Sequence, residues 1–151
     1  MIVIVIIGVV YTLVITKLDS VKEEKSLASL STLKEYLGSF SKGHEAVELL
    51  CKESCSECSV YVEGQKVQDI ESFFDESIEL YHYRYGEGAS LRRDDSCFRF
   101  RVDAEGISDQ VLITYDSYVY DYTPYFQKTK RYDSLSEAVD AKDKEVEEVL
   151  Q

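Results

Sequence analysis

Met1-Ile-Val-Ile-Val-Ile-Ile-Gly-Val-Val-Tyr-Thr-Leu-Val-Ile-Thr16 opens the chain with no ionisable acid or base except the Tyr11 phenol. The reading of this stretch decides the fold expected for everything behind it. The run is hydrophobic all round, with neither helical nor strand amphipathicity. As a helix, its 16 residues at ~1.5 Å each reach about 24 Å, roughly four residues short of a ~30 Å hydrocarbon core. A signal-peptide core would need a basic flank and a small-x-small cleavage site, and neither is present. A buried parallel strand would suit the β-branched Ile and Val, but strands seldom run this far without a turn signal. The segment is therefore expected to be the membrane-spanning first part of a helix, residues 1–16.

Beyond Lys17 the periodicity changes without a break. Leu18, Val21, Leu27, Leu30, Leu33, Leu37 and Phe40 recur mostly at intervals of three and four, with Lys22, Glu23, Glu24, Lys25, Lys34 and Glu35 between them. That spacing predicts an amphipathic continuation of the same helix over residues 17–42, with Gly38 and Gly43 as stop signals.

An apolar "MIVIVIIGVV" followed by a longer amphipathic helix resembles the N-terminal helix of type IV pilins and type II secretion pseudopilins. Met1 to Gly8 match the second half of the family's usual apolar run; residues 18–40 match it only in kind. The resemblance implies a pilin-like α+β fold, in which the long helix packs on a small antiparallel sheet. It implies a structural subunit of a type IV pilus, type II secretion or related DNA-uptake machine. Ile4, Ile7, Gly8, Val9, Tyr11 and Leu13 would supply helix packing in the membrane and in the fibre. The implied partners are other pilin-like subunits, in a homo- or hetero-polymer, and an inner-membrane assembly platform. The implied location is the bacterial inner membrane, single-pass, with a periplasmic or fibre-exposed C-terminal domain. The family's peptidase site, its methylated residue and its glutamate would all precede Met1. A start assigned too late would account for that, since about six more residues would bring the apolar span to about 22. The rival expectation is a single-pass, membrane-anchored periplasmic binding or sensor module.

Residues 43–151 alternate like strands. Val47–Cys51 and Ser59–Glu63 read as a hairpin, although the first arm also suits a helix. Glu63-Gly64 marks a turn, and Asp69–Ser77 suits a short helix. Phe98, Phe100 and Val102 alternate with Arg99, Arg101 and Asp103 as a half-buried strand. Val111–Tyr115 and Tyr118–Tyr122 flank Asp116-Ser117 as a tight hairpin. Ser134-Leu-Ser-Glu137 has the spacing of a capping box, which starts a terminal helix from about Leu135 to Leu150. The expected domain is thus an antiparallel sheet of about five or six short strands with a C-terminal helix.

A formal charge of -12 on 151 residues argues against nucleic acid as a main partner, because phosphate neutralisation needs clustered Lys and Arg. Cys51, Cys55, Cys58 and Cys97 are disulfide candidates if the domain is exported. Three pairings are possible; hairpin geometry favours Cys51 with Cys58, or one of the cluster tied to Cys97. Zinc at Cys55-x-x-Cys58 lacks a second C-x-x-C, and a redox centre there lacks its βαβ context. Asp116, Asp121 and Asp133 could offer oxygens to calcium, but they match no EF-hand spacing. His44 and His82 form no motif, and Asp94-Asp95 reads as a solvated turn. No phosphate loop, H-E-x-x-H or G-x-S-x-G occurs. The sequence thus offers no catalytic residue, no cofactor and no metal site. Most of the 12 tyrosines fall in two runs at strand spacing. Tyr81, Tyr83, Tyr118, Tyr120 and Tyr122 therefore suggest either cross-strand packing or an interaction surface.

Overall fold

In the computed structural model, the described residues are 29–52 and 54–151. They form two antiparallel sheets, stacked with a terminal helix. Helix α1 is Leu33–Gly38, followed by β1 (Val47–Cys51), β2 (Glu57–Val62) and β3 (Gln65–Glu71). Then come β4 (Glu79–Arg84), β5 (Gly88–Leu91), β6 (Phe98–Val102), β7 (Leu112–Tyr115), β8 (Tyr118–Asp121), β9 (Lys130–Tyr132) and helix α2 (Leu135–Leu150). The first sheet has the order β3-β2-β1-β6 and the second β5-β4-β7-β8-β9.

Alternation explains how the sheets stack. In β1 and β6 every second residue is buried, placing Val47, Leu49 and Cys51 beside Val102, Phe100 and Phe98 in register. Across the core, the second sheet contributes Leu80, Val111, Ile113 and Tyr122, and α1 contributes Leu33 and Leu37. The opposite face of the second sheet is apolar as well. Leu112 and Val119 pack there with Ala138 of α2, flanked by Tyr81, Tyr83 and Tyr132. The second sheet is thus covered on both faces.

Turn chemistry sets the registers. Asp116 and Ser117 both take positive φ (47° and 66°) between Tyr115 and Tyr118, the backbone of a two-residue hairpin turn. Glu63 (48°) and Gly64 (77°) do the same between β2 and β3, where glycine removes the Cβ clash of the second position. The capping box forms with a shift. The Ser134 hydroxyl accepts from the Glu137 N–H at 3.1 Å, while Glu137 reaches back to the Asp133 N–H rather than to Ser134's own.

The structure corrects the fold expected from sequence. The pilin-like α+β plan, a long N-terminal helix on one small sheet, gives way, among the described residues, to nine strands in two sheets with two helices. Within the described part of residues 17–42, only Leu33–Gly38 is helical. The stripe Leu30, Leu33, Leu37 is buried as its spacing required, but residues 29–32 form a turn closed by the Thr32 N–H on the Ser29 carbonyl. The buried Tyr122 hydroxyl donates to the Leu30 carbonyl at 2.7 Å and accepts the Leu33 N–H at 3.1 Å. It thus takes the groups that a continuing helix would have paired with its own backbone.

The membrane assignment is corrected as well. Among the described residues no helix is long and apolar enough to cross a membrane. The longest, α2, carries charge along most of its length. The single transmembrane pass, the bacterial inner-membrane location and the pilin and secretion-machine character that rest on them therefore find no support in the described residues. The apolar segment itself, with Ile4, Ile7, Gly8, Val9, Tyr11 and Leu13, lies outside the described residues.

Asp69–Ser77 is not a helix either. Ile70 sits on β3 opposite Cys58, and residues 72–77 are held in tight turns by the Ser72 and Asp75 side chains. Strands β3, β5 and β9 have no counterpart among the strands expected from sequence.

Burial pushes the Tyr122 phenol up to about 12 from 10.0. Its neutral form is therefore favoured in the fold, so its stabilisation is complete below pH 10 and is lost as pH rises through about 12. Tyr122→Phe should lower stability at neutral pH by about 1–3 kcal/mol with an unchanged denaturant slope. It should also flatten the alkaline fall. A urea midpoint equal to wild type at neutral pH would contradict the role given to this hydroxyl.

Candidate functional site

The four cysteines form two disulfides at one end of the first sheet. Cys51 and Cys58 face each other directly in the β1–β2 register and are bonded, with Cα atoms 4.0 Å apart. The next pair along, Lys52 and Glu57, is joined by a backbone hydrogen bond. Cys51 and Cys58 therefore occupy a non-hydrogen-bonded position, where facing side chains come closest. Cys55 lies in the connecting loop at φ 54° and is bonded to Cys97, immediately before β6. Cys51, Cys55 and Cys58 are buried and pack in the core, and no described cysteine is free. The thiol chemistry of the Cys55-x-x-Cys58 spacing is consumed in these bonds, leaving no thiolate for a metal or redox centre.

The tyrosines do not share one surface. In the second sheet Tyr81 aligns with Leu112 and then Asp121 on the face toward α2, whereas Leu80 aligns with Ile113 and Tyr120 on the face toward the first sheet. Tyr81 and Tyr83 pack under α2, and the Tyr83 hydroxyl donates to Asp143 at 2.6 Å. Burial first, and Asp143 second, push that phenol well above its usual range. Tyr120 and Tyr122 pack in the inter-sheet core, with Tyr122 edge-on to Phe100 at 4.8 Å between centroids. Tyr118 lies under the Arg131 guanidinium, 4.3 Å from its ring centre.

The proposed calcium oxygens are also dispersed in role. Asp116 and Asp133 border one shallow cleft, whereas Asp121 is fully buried against α2. Among the described residues no cluster of three or more His, Cys, Asp or Glu could hold a metal. His82 is exposed on β4, and His44 lies 3.3 Å from the Ala104 carbonyl in the loop before β1. Asp94 pairs with Arg92 at 2.7 Å. Arg92 also reaches Asp109, which in turn accepts the Arg101 N–H. These groups fasten the loops around β6.

Two features escaped the sequence reading. The first is the loop Tyr125-Phe126, where Phe126 is 90% exposed and Tyr125 55%. It borders a depression of ≈ 420 Å³ lined by Gly38, Val102 and Gly106 and flanked by Lys34 and Lys128. Lys34 donates to the Tyr125 carbonyl at 3.0 Å, which fixes the loop against α1. The signal available was Pro124, which cannot donate to a strand ladder and so places the next two aromatics outside the alternation. The second is Lys142, whose place in the stripe Leu135, Ala138, Val139, Lys142 predicts an apolar residue and whose side chain is buried.

No family model matches the chain, and neither a curated protein nor a solved structure matches it.

The disulfides permit a ranked prediction from loop length. The Cys55–Cys97 bond spans 42 residues of sequence and Cys51–Cys58 spans 7. In the chain-entropy account these correspond to about 4 and about 2.5 kcal/mol of denatured-state restriction. Replacing Cys55 and Cys97 together by Ala should cost more stability in urea than replacing Cys51 and Cys58 together. The reverse order would show that local strand pairing, not loop closure, dominates.

Proposed function

We propose that the chain is a structural, non-catalytic subunit that works in an oxidising compartment and docks against another protein subunit through the Tyr125-Phe126 loop. The observation that carries the reading is Phe126. Burying a Phe side chain is worth about 1.5–3 kcal/mol, and here that surface is left in water on a loop anchored by Lys34. An exposed aromatic pair, of which Phe126 borders a depression floored by Gly38, Val102 and Gly106 and rimmed by Lys34, Glu35, Gln127 and Lys128, has the composition of an interface centre with a polar rim.

The two disulfides support the compartment, since such bonds persist where thiols are not kept reduced. The polar chemistry of the described surface supports the absence of catalysis. Glu48 with Arg99, Lys52 with Glu57, Lys66 with Asp69 and Arg92 with its two aspartates are each taken up in ion pairs. The reading keeps the assembly role that the resemblance of residues 1–16 implies, and gives up the pilin architecture and the membrane span.

A photoreactive phenylalanine analogue placed at position 126 tests the reading in cells producing the full chain. A discrete cross-linked protein adduct is expected at 126 and not at the exposed control position Glu76. Equal, diffuse labelling at the two positions would refute docking through this loop.

A further inference from the structure

Asp121 and Lys142 are each an exception to an apolar pattern, and the two exceptions face each other. On β8 the positions toward α2 are Val119 and Asp121, and on α2 the positions toward the sheet are Leu135, Ala138, Val139 and Lys142. Asp121 is fully buried and Lys142 is 7% exposed. The Lys142 ammonium nitrogen lies 3.4 Å from Asp121 Oδ2. That is an ion-pair contact, yet longer than the ~2.7–2.9 Å of a charge-assisted hydrogen bond. Among the described residues Oδ2 has no hydrogen-bond partner. Removing two charges from water without completing their hydrogen bonds is costly, so the pair contributes little as a salt bridge.

The two carboxylate oxygens are treated unequally. Oδ1 accepts from the Thr123 N–H at 2.8 Å and from the Thr123 hydroxyl at 2.6 Å. Two fixed donors on one oxygen and none on the other are what acyl transfer asks of a carboxyl group. The held oxygen can carry developing negative charge, and the free one can leave. Beside the amine stands Glu145, whose Oε2 accepts from Lys142 at 2.7 Å while Oε1 accepts from Lys130 at 2.7 Å. Those two hydrogen bonds, Lys130's first, hold the Glu145 carboxyl below its usual range, so that it can relay a proton from Lys142 without retaining it.

We propose that Lys142 and Asp121 become joined by an intramolecular amide bond, with Glu145 as the proton acceptor and Thr123 as the oxyanion donor. The Lys142 ammonium passes one proton to Asp121 Oδ2, which neutralises the carboxyl group, and the freed electron pair on Nζ forms a bond to Asp121 Cγ as Glu145 takes a second proton from the same nitrogen. The negative charge of the tetrahedral adduct rests on Oδ1 under the two Thr123 donors. The Cγ–Oδ2 bond then breaks, and Oδ2 departs as water with two protons, both originally on Nζ, one of them relayed by Glu145. The ammonium and carboxylate are consumed together, one N–H remains on the amide, and no oxidant or co-reactant is needed. The product removes two buried charges, keeps the Thr123 hydrogen bonds on the amide oxygen and fastens α2 covalently to the second sheet.

Intact mass of the full chain, measured after reduction and denaturation, tests the proposal directly. The wild-type chain is expected to weigh one water less than its sequence. Trypsin cannot cleave after an acylated lysine, so the peptide through Lys142 should emerge linked to the peptide containing Asp121. Asp121→Ala and Lys142→Arg should each restore the full mass, and Glu145→Gln, which leaves both reacting groups in place, should leave most of the chain uncoupled. A wild-type chain of full mass, with Lys142 and Asp121 in separate peptides, would overturn the proposal. Water loss mapped to any other residue would overturn it equally.

Discussion

One phenol holds the described structure together. Tyr122, immediately after β8, places its ring against Phe100 of the first sheet and its hydroxyl between the Leu30 carbonyl and the Leu33 N–H. The second sheet, the first sheet and the segment leading into α1 therefore meet at a single side chain. Remove its hydroxyl, and two buried backbone groups lose their partner, at a cost of about 1–3 kcal/mol. A helix as short as α1 has no independent stability, so its existence depends on this docking and on the burial of Leu33 and Leu37.

The second constraint is that the central sheet is apolar on both faces. One face completes the sandwich core and the other needs a cover, which α2 provides. Along β8 and into the residue after it the two duties alternate: Val119 and Asp121 look toward α2, Tyr120 and Tyr122 toward the first sheet. A charged residue on the α2 side then demands a partner from the helix, and Lys142 is that partner. The disulfides act at a different place, fixing the turn between β1 and β2 and tying it to the head of β6. They compensate for a loop in which Cys55 adopts the left-handed region that a non-glycine residue seldom takes.

Local patterns in the sequence were legible wherever side-chain period and turn chemistry agreed. The Phe98–Val102 alternation, the Asp116-Ser117 turn and the Ser134 cap appear as strand, hairpin and helix start because each is determined within a few residues. Long-range placement was not legible. Leu30, Leu33, Leu37 and Phe40 have the spacing of one continuous helix, and nothing within the segment reveals that Tyr122, some ninety positions away, claims the Leu30 carbonyl. The tyrosine runs have the same spacing in β4 and β8, yet pairing through β7 puts Tyr81 and Tyr120 on opposite faces. Parity along a strand says which residues share a face, not which face it is. The cysteine spacing left the pairing open for a related reason: Cys51 with Cys58 is a local consequence of the hairpin, whereas Cys55 with Cys97 depends on β6 pairing with β1. The apolar start dominated the sequence reading, although residues 1–16 lie outside those the structure describes.

The central claim is that α1 is part of the core by virtue of Tyr122, and native-state amide hydrogen exchange tests it most directly. The Leu33 N–H, hydrogen-bonded to the phenol, is predicted to exchange only through global unfolding, with the same free energy and denaturant dependence as the Leu49 and Ile113 amides of the two sheets. Exchange of Leu33 by a local, denaturant-independent opening, while Leu49 and Ile113 stay protected, would show that α1 is an accessory to the fold and would contradict the account.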